Sequence, residues 1–230
     1  MKKLIAFVVA LFAAGNLFAL SGDVDFGLVL GGGTYEKEDN YLFIKREVEY
    51  KTGIVGLYGN FDLMFTENFG IFNDVSYNIP FNTSLSAKVF GLSNGDDGYK
   101  STLFVSDLLG VQGGFEINEK FRLLFGGGLD CAYLEGENKS GFTYNYLSGF
   151  TYTDCEEKFL MLGVGAKAKA QFFFTEKIGM NAGFVFDWYF AEYAEVKQKT
   201  LWYGTIEGSD TIYENFFFFR PELGMTIKLF

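Results

Sequence analysis

The chain has 230 residues, of which 20% are aromatic, with 29 Phe, 14 Tyr and 29 Gly but only 2 Pro. This composition is too aromatic for a disordered protein and is typical of β-strands with glycine at turns and close contacts. The formal net charge of −10 argues against binding to the phosphate backbone of a nucleic acid. The sequence contains no histidine, which removes imidazole catalysis and the commonest ligand of transition metals. We therefore expect the protein not to be an enzyme and to hold neither a cofactor nor a metal.

The first nineteen residues form a candidate export signal. Lys2 and Lys3 give a positive start, residues 4–18 are almost wholly apolar, and Ala19 ends a small-residue pattern typical of a cleavage site. The alternative is a retained membrane helix, but this run is shorter than the roughly twenty residues that such a helix needs. Cleavage after Ala19 would remove both lysines and change the net charge from −10 to −12. The mature part, residues 20–230, has no second apolar run of that length, so it could cross a membrane only as a closed barrel.

A short polar motif recurs along the chain and sets the expected number of strands. Glu67, Glu119 and Glu176 each lie between apolar residues where two alternating segments meet, as in tight hairpin turns. Three such turns, joining four hairpins that have long loops, predict eight strands. The predicted strands cover about residues 24–33, 53–65, 69–79, 103–117, 121–134, 159–173, 178–190 and 216–230. The long connections cover about residues 34–52, 80–102, 135–158 and 191–215.

The alternating segments have one apolar face and one face rich in glycine and charge. Glycine weakens strands, so a solvent-facing surface has no use for it, whereas the narrow lumen of an eight-stranded barrel requires small residues. We therefore predict an all-β, eight-stranded, antiparallel, up-and-down transmembrane β-barrel, with the glycine-and-charge face inside and the apolar face against lipid. A soluble lipocalin-like barrel is the alternative. Val29, Ile54 and Tyr189 also lie on the inward face, so the predicted lumen is not wholly polar.

The charged residues on the inward face are candidates for the functional site. The predicted lumen network consists of Asp62, Asp74, Glu116, Arg122, Lys167, Lys169, Asp187, Arg220 and Glu222, with Asp25, Asp130 and Lys228 on the same face. Buried charges are tolerated when they are paired, so one interpretation is a network of ion pairs that plugs the lumen. The other interpretation is a narrow polar pore that the same pairs gate.

Cys131 and Cys155 flank the third long connection. An exported protein meets an oxidising compartment, so these two residues are candidates for a disulfide, although two reduced cysteines are the alternative. The alternation places the two side chains on opposite faces, which argues against the bond unless the strand ends are irregular.

Aromatic residues gather toward both ends of the predicted strands, as in the interfacial girdles of membrane barrels. The girdle expected at the long connections comprises Tyr35, Tyr41, Tyr50, Tyr133, Trp188, Tyr189, Trp202 and Tyr203. The girdle expected at the short turns comprises Phe65, Phe115, Phe121, Phe172, Phe174 and Phe230.

The last residues form a candidate insertion signal. Glu222, Gly224, Ile227 and Leu229 follow the spacing polar-x-Gly-x-x-apolar-x-apolar, and Phe230 adds an aromatic end. This pattern resembles the terminal signal by which outer-membrane barrels are recognised for insertion. In architecture and in this signal, the mature chain resembles the small eight-stranded outer-membrane proteins of the OmpA, OmpX and OmpW type. The resemblance implies a monomer in the outer membrane, surrounded by lipid and inserted by the barrel-assembly machinery, with short periplasmic turns and long extracellular loops.

The long connections are acidic and would form the exposed surface of such a barrel. The first contains Glu36, Glu38, Asp39, Glu47 and Glu49, and the third contains Glu135, Glu137, Asp154, Glu156 and Glu157. In the family that the chain resembles, roles range from adhesion to the passage of small hydrophobic solutes. We expect a structural or surface-interaction role in which the acidic loops contact host or other surface ligands. The alternative is a narrow channel of the OmpW type for small or hydrophobic solutes.

Overall fold

The computed structural model describes residues 21–41, 44–66, 68–89, 92–96, 99–138, 142–145, 149–200, 204–212 and 215–230. The expected export signal, residues 1–19, and Glu67 of the first predicted turn lie outside these ranges. Across the described ranges there is no helix with the length and apolar character needed to span a bilayer.

Eight long strands and three short ones make up the described fold. They are β1 (Ser21–Tyr41), β2 (Ile44–Met64), β3 (Phe69–Val89), β4 (Leu92–Asp96), β5 (Tyr99–Asn118), β6 (Phe121–Asn138), β7 (Phe142–Asn145), β8 (Gly149–Phe173), β9 (Ile178–Thr200), β10 (Gly204–Ile212) and β11 (Phe216–Lys228). The long strands follow the order β1-β2-β3-β5-β6-β8-β9-β11, and β11 pairs with β1, which closes the sheet. Every pairing is antiparallel between neighbours along the chain or at the closing seam, so the predicted eight-stranded up-and-down barrel is confirmed.

The short turns lie together with both ends of the described chain at one end of the barrel, here called the short-turn end. Phe65 N–H donates to the carbonyl of Phe69 over 2.9 Å. The Asn118 side-chain oxygen accepts from Lys120 N–H at 2.9 Å, and the Thr175 hydroxyl accepts from Ile178 N–H at 2.9 Å. These short polar side chains satisfy turn N–H groups, which is why each polar motif reverses the chain.

The opposite, long-loop end differs from the sequence prediction. The described residues of the four connections predicted over residues 34–52, 80–102, 135–158 and 191–215 are largely β-structure, because the strands continue beyond their predicted ends. The first hairpin stays in register from Tyr35–Tyr50 up to Tyr41–Ile44, and β10 adds a further strand beside the end of β9. Within the described ranges, the long-loop end is therefore a rim of extended hairpins.

The outer surface of the barrel carries a broad apolar belt. Exposed side chains on it include Leu28, Leu57, Tyr77, Leu109, Phe115, Leu129, Leu160, Phe184, Phe219 and Leu223. Leu129 is 64% exposed and Leu28 is 62% exposed. Contiguous apolar surface of this extent is unfavourable in water but matches the lipid-facing band of a membrane barrel.

Candidate functional site

The lumen changes character along its length, and β11 shows the sequence of layers. From the long-loop end toward the short-turn end, its buried inward side chains are Phe216, Phe218, Arg220, Glu222 and Thr226. An aromatic layer therefore lies nearest the long-loop end, a charged layer follows it, and smaller polar groups lie nearest the short-turn end. This layering results from the strand alternation, because every second residue of β11 faces the lumen.

Arg220 occupies the upper part of the charged layer and is fully buried. Its Nε donates to Asp187 Oδ2 at 2.7 Å and its Nη2 donates to Asp187 Oδ1 at 3.2 Å. Its Nη1 donates to the Ser76 hydroxyl at 2.7 Å and lies 3.7 Å from Asp74 Oδ1. Arg220 thus joins β11 to β9 beside it and to β3 across the lumen.

Two lysines of β8 extend the network toward the short-turn end. Lys169 makes ion pairs with both Asp25 and Asp62. Lys167 makes an ion pair with Asp74, and its Nζ lies 3.5 Å from Glu222 Oε2. Because both lysines reach strands that are not neighbours of β8, their side chains cross the lumen.

Arg122 of β6 completes the charged layer near the short-turn end. It forms an ion pair with Asp23, and its Nε and Nη2 donate to Gln171 Oε1 at 3.0 and 2.6 Å. Gln171 in turn donates to Asp25 Oδ1 at 3.2 Å, so the Arg122 and Lys169 pairs belong to one connected network. Connected polar networks of this kind hold the surrounding strands in a fixed register.

The aromatic layer, here called the aromatic cap, fills the lumen toward the long-loop end. The rings of Phe104 and Phe218 stack with centroids 4.2 Å apart, and those of Tyr35 and Phe216 stack at 4.6 Å. The Tyr50 hydroxyl and the Ser101 hydroxyl are 2.6 Å apart. The expectation that Tyr35, Tyr50 and Tyr189 belong to the outer girdle is therefore wrong. Their positions in the alternation turn these three side chains inward. Trp188, next to Tyr189 in the chain, faces outward and remains a girdle residue.

Glycine in the lumen makes room for large neighbours. A Cβ atom on Gly126 would lie 2.6 Å from the Phe72 ring, and one on Gly165 would lie 2.8 Å from Leu108 Cδ1. From the alternation we expect these glycines to accommodate long charged side chains. At these two positions they accommodate apolar ones, because Phe72, Leu108 and Val185 form a small apolar cluster within the lumen.

The structure places most residues of the predicted charge network in the lumen. Asp62, Asp74, Arg122, Lys167, Lys169, Asp187, Arg220 and Glu222 are all buried there, as are Asp25 and Asp130. Glu116 is a correction: it is exposed at the short-turn rim, where the pairing of β5 with β6 shifts between Glu116 and Asn118. Lys228 is half-buried at the same end, with its Nζ 5.5 Å from the centroid of the Phe173 ring.

Two buried carboxylates, Asp23 and Glu192, were not among the predicted lumen residues. Asp23 lies two residues before Asp25 and follows the same alternation, so the pattern contained the signal but the predicted strand began too late. Glu192 could not be found in this way. The pairing of β8 with β9 shifts between Leu162 and Gly163, and this irregularity reverses the inward and outward faces after Tyr189.

The predicted Cys131–Cys155 disulfide is also a correction. Cys131 is exposed on the outer face as a free cysteine and pairs with Leu162 in the register. Cys155 pairs with Asn138, seven residues further along β6. At about 3.3 Å per strand residue this separation is on the order of 20 Å, far beyond the roughly 7 Å limit for bonded cysteines.

The candidate insertion signal occupies the closing strand. Glu222 faces the lumen, whereas Ile227, Leu229 and Phe230 are exposed on the outside. Leu229 N–H donates to the Gly22 carbonyl at 2.7 Å, and Gly22 N–H donates to the Phe230 carbonyl at 3.3 Å. The final residues therefore contribute directly to closing the barrel.

A concave, charged surface lies on the outer side of the long-loop rim, where β8, β9 and β10 run side by side. The cavity has a volume of about 480 Å³ and is lined by Glu156, Lys158, Tyr193, Glu195, Lys197, Glu207, Gly208 and Ser209. Lys197 Nζ lies 2.8 Å from Glu207 Oε1, and both side chains are exposed. The hydrogen bond from Lys197 lowers the pKa of Glu207, and the same bond raises the pKa of Lys197. We call this surface the rim cleft.

An apolar groove lies at the closing seam between β1 and β11. It has a volume of about 440 Å³ and is lined by Gly32, Gly33, Thr34, Lys51, Thr52, Phe186, Phe217, Phe218 and Phe219. The ladder between β1 and β11 lacks the pairs between Val29–Glu222 and Gly32–Phe219, beside Pro221, which has no N–H, while the register is the same on both sides. Because glycines 32 and 33 carry no side chains, the groove extends from the outer face toward Phe218 of the aromatic cap. We call it the seam groove.

The chain is similar in fold to solved outer-membrane proteins. No family model matches the chain, and no curated protein matches it in sequence. The outer membrane protein OprG from Pseudomonas aeruginosa superposes with a TM-score of 0.54 at 15% identity, covering 92% of this chain and 96% of that one. The outer membrane protease OmpT from Escherichia coli gives 0.50 at 12% identity, covering 92% and 97%. Ail from Yersinia pestis gives 0.39 at 11% identity, covering 90% and 100%.

The likeness to OmpT overturns our expectation that the chain is not an enzyme, because a barrel of similar architecture is a protease in that protein. At these identities, the likenesses to OprG and OmpT show similarity of fold alone. The chain therefore has the fold of the small outer-membrane β-barrel proteins.

Proposed function

We propose that this outer-membrane barrel acts as a surface-interaction protein, with its contact surface at the long-loop end and the barrel as a rigid mount. The observation that carries this proposal is the filled lumen. Ion pairs cross the lumen toward the short-turn end, and stacked aromatic rings fill it toward the long-loop end. A lumen packed in this way favours the plug interpretation of the charges over the gated pore.

The same proposal includes the expected route to the membrane. Residues 1–19 would direct export, and the pattern ending at Phe230 would be recognised by the barrel-assembly machinery. The short-turn end would then face the periplasm and the long-loop end the cell exterior. The apolar belt supports a lipid environment, since its exposed leucine and phenylalanine side chains lie on the outer face of the strands.

The rim cleft is the described surface that fits a contact role best. It carries the carboxylates of Glu156, Glu195 and Glu207 beside two lysines and Tyr193. In the register, Lys158 lies opposite Glu195, while Lys197 lies between Glu156 and Glu207. Alternating charges with a small acidic excess complement a ligand that presents basic groups next to hydrogen-bond acceptors.

The first experiment is single-channel recording with the refolded chain in a planar bilayer. We expect insertion without conductance steps, with folding checked by heat-modifiable electrophoretic mobility. Reproducible steps that change in Lys167→Met or Arg220→Met would show that the lumen is an ion path and would overturn the plug interpretation.

The contact role is tested by adhesion of cells that display the barrel to an epithelial monolayer. Changing Glu156, Glu195 and Glu207 together to Gln should reduce adhesion. Changing Glu116, Glu119 and Glu176 to Gln is the matched control, because these exposed glutamates lie at the short-turn end and the change in net charge is equal. Equal adhesion of both triple variants would exclude the rim cleft as the contact surface.

The seam groove favours a second candidate, the passage of small hydrophobic solutes through the side of the barrel. The groove is apolar, faces the lipid belt and reaches the aromatic cap. A hydrophobic fluorophore should enter cells that display the barrel faster than control cells. Thr34→Trp, which fills the groove, should remove this difference, whereas Leu57→Trp elsewhere on the outer face should retain it. Uptake that is equal in all strains would eliminate this candidate.

A further inference from the structure

Three polar residues lie together in the apolar outer belt. They are Asn73 on β3, Asp107 on β5 and Cys131 on β6, and we call them the outer polar cluster. Asp107 is exposed, and Asn73 Nδ2 donates to its Oδ1 at 2.5 Å. Cys131 is directly opposite Asp107 in the register and is also exposed. None of the three belongs to the lumen network, the rim cleft or the seam groove.

The neighbours of the cluster are apolar on every side. Along β5, Val105 lies two residues before Asp107 and the exposed Leu109 lies two residues after it. On β3 the residue opposite Asp107 is the exposed Val75, and on β6 the exposed Leu129 lies two residues before Cys131. The carboxyl group therefore lies within the surface that we place against lipid, and not at its aqueous edge.

Lipid chains cannot satisfy such a group, because they offer neither hydrogen-bond donors nor acceptors. Ionisable side chains on the lipid face of a barrel destabilise it, and within a membrane they usually mark a contact or a pathway. The internal contact with Asn73 uses one amide hydrogen and one carboxyl oxygen. An amide nitrogen carries two hydrogens and a carboxyl group has two oxygens, so the cluster retains one donor and one acceptor for a partner.

We propose that the outer polar cluster is the interface through which two copies of this barrel associate side by side in the membrane. The partner is a second copy because the cluster contains its own complement. With a two-fold axis along the membrane normal between Asn73 and Asp107, the amide of each copy meets the carboxyl group of the other. Such an isologous contact forms two equivalent hydrogen bonds and removes both polar groups from lipid. This inference departs from the monomer that the family resemblance implies.

The test measures energy transfer between labelled barrels in lipid vesicles. Lys120→Cys, in the exposed β5–β6 turn, carries the dye in a background where Cys131 and Cys155 are replaced by Ser, so that position 131 stays polar. Donor- and acceptor-labelled proteins are mixed at a low protein-to-lipid ratio. We expect energy transfer well above that of random mixing, and its loss when excess unlabelled protein is added.

The decisive variant replaces Asn73 and Asp107 together by Leu. This change removes polar groups from the lipid face, so the barrel should remain folded while the transfer falls to the random level. Leu223→Ala, on the outer face of β11 away from the cluster, is the control and should keep the transfer unchanged. Transfer that persists in the double leucine variant, or that never exceeds random mixing in the parent, would overturn the proposal. A photoreactive residue at Leu109 that crosslinks in cells to a different protein, and not to a second copy, would overturn it as well.

Discussion

Arg220 and Asp187 form a two-point ion pair inside the barrel although they are not opposite each other in the register. Arg220 of β11 pairs with Val185 of β9, and Asp187 pairs with Phe218. The guanidinium therefore reaches diagonally toward the long-loop end, where both of its contacts with Asp187 are 3.2 Å or shorter. This diagonal places the charge directly beneath the aromatic cap and leaves Nη1 free to meet Ser76 across the lumen.

Replacing Arg220 by Met should lower the free energy of unfolding by about 3–5 kcal/mol, because it leaves buried carboxylates without their cation. Urea unfolding of the barrel in detergent micelles, followed by tryptophan fluorescence, measures this change. Adding Asp187→Asn should restore part of the loss, since the two residues act as one unit. Lys120→Met in the exposed turn is the control. If Arg220→Met unfolded at the same urea concentration as this control, the pair would have no structural role.

Replacing Phe218 by Ala should lower the free energy of unfolding by about 3–5 kcal/mol, because it leaves a cavity in the aromatic cap. Phe218 is 1% exposed and stacks on Phe104, whereas the adjacent Phe219 is 48% exposed on the outer face. Phe219→Ala is therefore a matched control of equal size change, and its effect should be smaller. Equal losses in the same urea assay would mean that the cap is not a packed layer.

The ion pair between Lys197 and Glu207 should make the rim cleft sensitive to acid. The pKa of Glu207 is lowered, so the pair is complete above the ordinary glutamate pKa and is lost as the pH falls through the lowered value. Carbon-13 NMR of the Glu207 carboxyl group should give a titration midpoint below that of an ordinary glutamate. In Lys197→Met the midpoint should rise. An unchanged midpoint in that variant would show that Lys197 does not contact Glu207 in solution.

Changes in the candidate insertion signal should reduce assembly into the membrane more than they reduce the stability of the folded barrel. Replacing Phe230 by Ala should reduce the fraction of heat-modifiable, folded barrel in the outer-membrane fraction shortly after induction. The purified, refolded variant should unfold almost like the parent. Phe69→Ala, which changes another exposed phenylalanine at the short-turn end, controls for the loss of aromatic area. Equal assembly of the two variants would mean that Phe230 carries no recognition signal.

The number of strands and their faces follow from local patterns, which explains why they were predictable. Each strand alternates with a period of two, and each polar turn contains residues that satisfy its own N–H groups. The same alternation placed Lys167, Asp187 and Arg220 on one face without any knowledge of their partners. It failed at Glu192, where an irregular register reverses the faces, and at Glu116, where the strand passes the end of the lumen.

The partners within the lumen could not be predicted, because they depend on how the sheet closes. Lys169 meets Asp25 and Asp62 only after β8 has curved round to face β1 and β2. The stagger between strands decides which side chains share a level, and sequence spacing does not specify it. The aromatic cap was missed for a related reason. Tyrosine is common both at membrane interfaces and in packed interiors. Residue type therefore did not show that Tyr35 and Tyr50 face the lumen and not the lipid.

The ion pairs that cross the lumen also constrain how the barrel can form. Lys169 and Asp25 are 144 residues apart in sequence, and Lys167 and Asp74 are 93 apart. A half-formed sheet therefore has its lysines and aspartates in place but without their partners, and within lipid each of them would be strongly unfavourable. Strand-by-strand insertion is disfavoured for this reason. The inner face of the sheet has to stay hydrated until β1 pairs with β11. Closure of the sheet and dehydration of the lumen therefore form a single cooperative step.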